Sequence, residues 1–126
     1  MNVPPSRPSK SICLVVANPS TSTTLGVPVG FWASEMTHPW LAFTEAGYRV
    51  DLFSPDGGRV AVDALSDPRD ASGYSAHDVI SMGFLSTPAL VRLLDDTRPI
   101  AAASAADYDA IVVAGGQSPM FTFREH

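Results

Sequence analysis

Glu35 and His38 are two residues whose types and spacing could support chemistry. They are three positions apart, which places both on one face of a helix. Glu35 stands among Trp32, Met36 and Trp40, and a carboxylate buried among such side chains holds its proton more tightly and could share it with a nucleophile. The alternative is a solvated helical glutamate. Two ligands do not make a metal site, so no metal is expected, and His38 is more simply a helix cap or a residue at the edge of the core.

A pair of glycines at the end of an apolar run is the second candidate feature. Gly115 and Gly116 follow the run from Ala110 to Ala114. Glycine lets the backbone adopt positive φ and approach a ligand closely. The N–H groups of Gly116 and Gln117 after such a turn can bind a carboxylate or a developing oxyanion. The alternative is a tight strand-to-helix turn that binds nothing.

Other nucleophiles in the chain lack the surroundings that catalysis needs. Cys13 lies inside an apolar run, between Ile12 and Leu14, and is expected to be buried and structural. Ser34 and Ser118 have no positioned base in the sequence, so a serine triad is not supported. Phosphate-binding and dinucleotide-binding glycine motifs are absent from the sequence.

The composition indicates a globular domain and excludes several classes of function. The chain has 126 residues, 45% of them apolar and 17% charged, with a net charge of -5. An acidic chain without a basic stripe argues against nucleic-acid binding. A single cysteine fits a reducing compartment, and the longest apolar run falls short of the ~18 residues of a membrane span. We expect a cytoplasmic protein with no membrane partner, a flexible tail over residues 1–10, and one domain over residues 11–126.

The order of elements predicts a parallel α/β sheet. Strands are expected in the run that Asn18 closes and over Tyr48–Ser54, Val60–Val62 and Ala110–Ala114. One helix is expected before Gly47, either starting near His38 or kinked at Pro39. A second follows a Ser86 or Thr87 cap with Pro88 in its first turn, and a third begins near Phe121. The stretches 20–30 and 63–83 are expected to be loops.

A parallel sheet places ligands beyond the carboxyl ends of its strands. Those ends are Asn18, Ser54 and the Gly115-Gly116 turn. The sequence therefore predicts that Glu35, His38 and the stretch Gly116–Ser118 are neighbours at one edge of the sheet.

Two segments resemble a known family. "GFWASEMTHPWLAFTEAGYRVDLFSPDGG" followed by "DYDAIVVAGGQSPMFTF" is similar to the ThiJ/PfpI superfamily of type 1 glutamine amidotransferase-like proteins. The similarity is greatest to the branch that contains heat-shock chaperones with glyoxalase III activity, and it runs from about Ser11 to the end. Its strongest elements are Glu-x-x-His-Pro at Glu35, Ala-Gly-Tyr-Arg-Val-Asp at Ala46, and the Asp-Tyr-Asp-Ala strand that leads to Gly-Gly.

The resemblance implies a flavodoxin-like three-layer α/β sandwich, incomplete at its C-terminus. It implies that Glu35 is hydrogen-bonded to a nucleophilic cysteine and that the amides of Gly116 and Gln117 form an oxyanion site. His38 and Ser118, which are expected at the same edge, are candidate binding residues. In the family the nucleophile follows the Gly-Gly turn by a few tens of residues, in an Ala-x-Cys-His-Gly-like motif that this sequence does not contain. Gln117-Ser118-Pro119 also replaces the family's His-Gly-Thr. As a result, Pro119 cannot donate an N–H and Gln117 cannot act as a base.

Several functions stay open at this point. The first is cysteine-dependent hydrolase, hydratase or glyoxalase chemistry on a small carbonyl or amide compound, with the cysteine on a segment missing from this chain, which alone would then be inactive. The alternative is a non-catalytic member that binds a small molecule or a partner. No cofactor is expected. Only three of the expected strands are clear, without Val60–Val62. A sheet built from these three would expose an apolar edge and face, so we expect either a homo-oligomer or a complementary polypeptide that carries the rest of the fold.

Overall fold

A parallel four-stranded sheet forms the centre of the computed structural model, which describes residues 9–123. The strand order is β5-β4-β1-β6. The elements in chain order are β1 (Ser11–Val15), β2 (Ser20–Thr21), β3 (Pro28–Val29), α1 (Ala33–Glu45), β4 (Arg49–Ser54), α2 (Val79–Leu85), α3 (Pro88–Asp95), β5 (Arg98–Pro99), β6 (Ala110–Val113) and α4 (Pro119–Thr122). The fold is α/β and flavodoxin-like, as the sequence predicts.

Strand β1 is central because it pairs in parallel with β4 on one side and β6 on the other. Cys13 lies opposite Asp51 of β4 and Ile111 of β6. The four residues from Ile12 to Val15 are all buried, which explains why this strand is a continuous apolar run rather than an alternating one.

One face of the sheet carries the main core. Leu14 and Val16 point to this side, where they pack with Met36 of α1, Phe84 of α2 and Leu94 of α3. The indole of Trp40 on α1 meets the ring of Phe84 edge to face, with ring centres 5.0 Å apart. We call this side the helix-covered face.

The opposite side, which we call the open face, has a much smaller apolar cluster. Cys13, Val15 and Phe53 are buried there, beneath the rings of Tyr108 and Phe123. On the edge strand β6, Ile111 and Val113 share this side with Cys13 and Val15 but are 61% and 57% exposed. Within residues 9–123 the third layer of the sandwich therefore consists only of short segments.

Most of the expected strands and helices are present, with shifts of one or two residues at their ends. The strand expected over Tyr48–Ser54 is β4, and the one expected over Ala110–Ala114 is β6. The helix expected near Phe121 is α4, which begins at Pro119. Gly47 ends α1 with φ of +84°, as a glycine stop should. Of the predicted tail, residues 1–8 lie outside the described part, and the hydroxyl of Ser9 donates to the carbonyl of Gly47 at 2.8 Å.

Helix α1 does not start near His38 but runs through Pro39, as the second alternative requires. It begins at Ala33, well before His38, and Pro39 lies inside it. Proline has no N–H to donate to the carbonyl four residues earlier, which is that of Glu35. The contacts that fix the first turn of α1 from outside the helix, described below, explain why the helix begins upstream of Pro39.

Three other expectations were wrong. Val60–Val62 is not a strand and makes only an isolated parallel bridge, from Val62 to Phe31. The expected loop over 63–83 contains most of α2. The expected loop over 20–30 holds the antiparallel pair β2–β3.

Thr87 occupies the cap position of α3, as one of the two predicted caps. However, its hydroxyl donates to the carbonyl of Gly83, so it does not cap the helix with its side chain.

Candidate functional site

Three separate backbone segments meet at the carboxyl edge of the sheet. Phe31 bridges Val62 in parallel on one side and Gly116 in antiparallel on the other. The N–H of Trp32 donates to the carbonyl of Gly115 at 2.8 Å, and the N–H of Asp63 donates to the carbonyl of Phe31 at 2.7 Å. This junction holds the start of α1 against the glycine turn.

Gly116 is required by the geometry of the turn. Its φ is +129°, which L side chains rarely adopt. A β-carbon at this position would also lie 2.6 Å from the amide nitrogen of Trp32 and 2.9 Å from the carbonyl oxygen of Gly30. The close approach of these backbones is therefore possible only with glycine.

The carboxylate of Glu35 lies directly against Gly115. A β-carbon at position 115 would be 2.6 Å from Oε2 and 3.0 Å from Oε1 of Glu35. Glu35 is exposed, as in the solvated alternative, and its carboxylate makes no hydrogen bond or ion pair with any residue from 9 to 123. The predicted neighbours Glu35 and Gly115-Gly116 thus lie together, with the carboxylate available to a further group.

The amides of the turn differ in their hydrogen bonding. Among residues 9–123, the N–H of Gly116 forms no hydrogen bond, whereas the N–H of Ser118 donates to the carbonyl of Gly30 at 3.2 Å. The hydroxyl of Ser118 is buried and donates to the carbonyl of Asn18. Ser118 therefore fastens the turn to the end of β1. Its predicted contact with a ligand would require that hydroxyl to change partners.

His38 lies on the side of α1 that faces α2. Its Nε2 is 2.8 Å from Oδ1 of Asp78, and the other carboxylate oxygen accepts a hydrogen bond from the hydroxyl of Ser81 at 2.5 Å. Burial of Asp78 opposes its ionisation, but the hydrogen bonds from Ser81 and His38 outweigh that effect and lower the pKa of the carboxyl. His38 thus bridges α1 and α2, and a ligand-binding role for it stays a prediction.

A cavity of about 510 Å³ opens beside this histidine. Its lining includes His38 and Asp78, and Trp32 and Tyr74 contribute two aromatic rings that meet edge to face at 6.3 Å. Because the N–H of Trp32 donates to Gly115, this cavity adjoins the glycine turn.

Cys13 is not a candidate nucleophile. Its side chain is 1% exposed in the centre of β1. Burial, followed by the negative charge of Asp51, raises the pKa of the thiol, so the reactive thiolate is disfavoured. The expectation that Cys13 is structural is confirmed.

We searched the described part of the chain for metal-binding groups and for membrane-spanning helices. Over residues 9–123, His, Cys, Asp and Glu side chains do not form a group of three or more that could hold a metal ion. None of the helices in that range is long and apolar enough to cross a membrane.

Sequence reasoning missed the polar residues that support this edge. Asp78 and Ser66 were both assigned to a loop, yet Asp78 caps α2 through the N–H of Ser81 and Ser66 contacts the start of α1. The spacing Asp78-x-x-Ser81 before an apolar stretch is a capping signal that could have revealed α2. Asp63 is also buried, and its Oδ2 has no hydrogen-bond partner among the described residues.

Comparison with known proteins rests on solved structures, since no protein-family model matches the chain and no curated protein matches it significantly. The Rapid Encystment Protein 24 KDa of Francisella tularensis is 23% identical with a TM-score of 0.77, over 93% of this chain and 49% of its own. Glyoxalase III of Candida albicans is 19% identical with a TM-score of 0.68, over 89% of this chain and 46% of its own. A third solved structure is 31% identical with a TM-score of 0.60, over 90% of this chain and 45% of its own.

The chain spans about half the length of each of these three proteins. Identities of 19% and 23% show a shared fold. The chain therefore has the flavodoxin-like α/β fold of these structures, over about half of their length.

Proposed function

We propose that this chain supplies half of an active site for cysteine-dependent chemistry on a small carbonyl or amide compound. Glu35 manages the proton of a nucleophilic thiol, and the turn amides at Gly116 and Gln117 stabilise the oxyanion that forms when the thiolate attacks the carbonyl carbon. The observation that carries this proposal is the contact between the Glu35 carboxylate and Gly115, at the start of the turn.

The position of Glu35 supports a role as proton partner. Its carboxylate is exposed at the carboxyl edge of the sheet and has no partner among residues 9–123. A carboxylate that packs against a backbone turn without a hydrogen bond can accept one from an incoming S–H group. With an amide substrate, the thiol proton would pass to the carboxylate as the thiolate forms and then to the departing amine. Water would hydrolyse the resulting thioester, which releases the acid and regenerates the thiol.

The turn supports the oxyanion role. The N–H of Gly116 forms no bond within the described residues, and the φ of +129° at Gly116 fixes the direction of the next peptide. The N–H of Ser118 already donates to Gly30, so it does not contribute to this site.

In this proposal the nucleophile comes from a polypeptide segment outside residues 1–126. Cys13 is the one cysteine in the sequence, and it is buried in β1 with a raised pKa. Solved relatives with this fold are about twice as long as the matched region. We propose that a polypeptide carrying the remaining half of the fold brings the nucleophile to Glu35.

The docking surface for that polypeptide is the free edge of β6 together with the open face. Ile111 and Val113 present apolar side chains there, and Met120 on the adjacent α4 is 70% exposed. A further strand parallel to β6, followed by a helix over Ile111 and Val113, would cover both. Glyoxalase III activity is the property of one such relative, and a 2-oxoaldehyde is therefore the first substrate to test.

The test uses the native assembly of this chain, isolated through a tag on the chain itself. A 2-oxoaldehyde and a small amide are the substrates. Glu35→Gln should lower kcat/KM by about 100-fold or more, the usual scale of a lost proton-transfer group, while the control Cys13→Ser should keep most of the activity. Activity that survives Glu35→Gln would remove the role of Glu35.

Intact mass of the same preparation tests the docking proposal. We expect a second polypeptide that contains a thiol reactive towards iodoacetamide. A mass of 13.3 kDa with no other chain, or a multiple of that mass, would contradict the two-piece arrangement. Saturable substrate binding without turnover would favour a non-catalytic, small-molecule-binding member instead.

A further inference from the structure

The first turn of α1 is capped by a residue from a distant part of the chain. Trp32 occupies the cap position and has no side-chain oxygen to accept a bond from the free N–H groups of the helix start. The N–H of Ala33 donates instead to the hydroxyl oxygen of Ser66, at 2.9 Å. Both residues are buried, so water does not compete for this bond.

Ser66 is itself held in place by Asp63. Its hydroxyl donates to the carbonyl of Asp63 at 2.8 Å, and its N–H donates to the same oxygen at 3.0 Å. Asp63 is joined to the junction through its own N–H, which donates to Phe31. The hydroxyl of Ser66 therefore donates in one direction and accepts in the other, and its orientation is fixed.

Glu35 lies two residues after Ala33, in the turn that Ser66 caps. Its carboxylate packs against Gly115 and makes no hydrogen bond or ion pair with any residue from 9 to 123. The position of the carboxylate thus depends on the backbone of the first turn of α1 rather than on a direct partner.

We propose that Ser66 is a positioning residue for Glu35. By capping the N–H of Ala33, Ser66 fixes the first turn of α1 and holds the Glu35 carboxylate against the glycine turn. The segment around Ser66 is then a support for the candidate site. This inference refines the proposed function, but its contacts can be tested without any assay of activity.

The experiment is a double-mutant comparison by NMR, with the Gly115 amide as the reporter. In the protein with Ser66 unchanged, Glu35→Gln should change the chemical shift of the Gly115 amide, because the carboxylate lies against that residue. In the Ser66→Ala background the same substitution should produce less than about half of that change, since the carboxylate is no longer held there.

Ser75→Ala is the matched control. Ser75 is also buried, in the same part of the chain, and its hydroxyl donates to the carbonyl of Leu65 at 2.7 Å, while it has no hydrogen bond to α1 among the described residues. The Gly115 response to Glu35→Gln should be intact in the Ser75→Ala background, and Ser66→Thr, which keeps the hydroxyl, should restore it. If Ser66→Ala does not fold, Ser66→Cys replaces it, because the thiol fills the space but accepts a hydrogen bond weakly.

A folded Ser66→Ala or Ser66→Cys protein with a full Gly115 response would overturn the proposal. That result is distinguishable from failure of the proposed function. In the latter case the native assembly shows no turnover while the Gly115 response still depends on Ser66.

Discussion

The two faces of the sheet differ in how completely the chain covers them. The helix-covered face has side chains of three helices packed on β1, and the ring of Phe84 there is 3% exposed. On the open face, Val113 sits on the edge strand and is 57% exposed. Both faces belong to the same apolar strands, so the difference comes from what lies over them.

The helix-covered face therefore stabilises the chain itself, whereas the open face is a surface on which another polypeptide could pack. The helix-covered face supplies a core of its own, whose burial stabilises the described part of the fold. The open face provides little burial within residues 9–123, yet the candidate site lies at the edge that both faces share. The predictions below test this division, beginning with the largest expected effect.

Removing a side chain from each face should give very different losses of stability. Phe84→Ala leaves a cavity in the helix-covered core and should lower the free energy of unfolding by about 3–5 kcal/mol. Val113→Ala removes a mostly exposed side chain and should cost less than about 1 kcal/mol. Urea unfolding followed by tryptophan fluorescence measures both. Equal losses would mean that the open face is covered in solution, for instance by a second copy of the chain.

Gly116→Ala should be strongly destabilising at the shared edge. The new β-carbon would meet the backbone of Trp32 at 2.6 Å while φ stays at +129°, so strain of about 2–3 kcal/mol is expected. Gly26→Ala is the control, since Gly26 has φ of +67° but nothing within 4 Å of a β-carbon. It should cost only about 1 kcal/mol. If the two variants unfold at the same urea concentration, the close approach of the three backbones is not maintained in solution.

The two faces should also respond to pH in opposite directions. Beside the helix-covered face, the pKa of Asp78 is lowered, so its contribution to stability is present above the unfolded value of ~3.9 and is lost as pH falls through the lower folded value. On the open face, burial and the hydrogen bond to Asp51 raise the pKa of Tyr108. Its contribution is present below the unfolded value of ~10 and is lost as pH rises through the higher folded value.

Unfolding in urea at a series of pH values measures both limbs. Asp78→Asn should flatten the dependence on the acid side alone, and Tyr108→Phe the dependence on the alkaline side alone. An acid limb that is unchanged in Asp78→Asn would contradict the role given to its bonds with Ser81 and His38.

The sequence predicted the sheet better than the segments that support its edge. The strands β1 and β6 are apolar runs, whereas β4 mixes apolar and polar residues. All three are bounded by glycine, proline or asparagine, and such segments are recognisable without tertiary information. The two-residue strand β5, Arg98–Pro99, has no apolar pattern, because it pairs only at the edge of the sheet. Its existence depends on β4 being in place.

The meeting of Glu35 and the glycine turn was also predictable, because the carboxyl ends of parallel strands share an edge. The support from Ser66 and Asp63 was not. These residues have neither helical nor strand periodicity, and their hydrogen bonds join positions about 30 residues apart in the chain. A serine that caps a helix from elsewhere in the sequence leaves no local signal, unlike the capping pair Asp78 and Ser81, which does.

The bond from the Ser118 hydroxyl to the carbonyl of Asn18 joins residues 100 positions apart. Closing so long a loop is entropically costly, and contacts of this separation slow folding relative to local ones. The first turn of α1 can form early, but the glycine turn reaches it only once β6 has paired with β1. The candidate site therefore assembles only after β6 has paired, and a newly synthesised chain has no competent carboxylate-and-turn arrangement until Ser118 has been made.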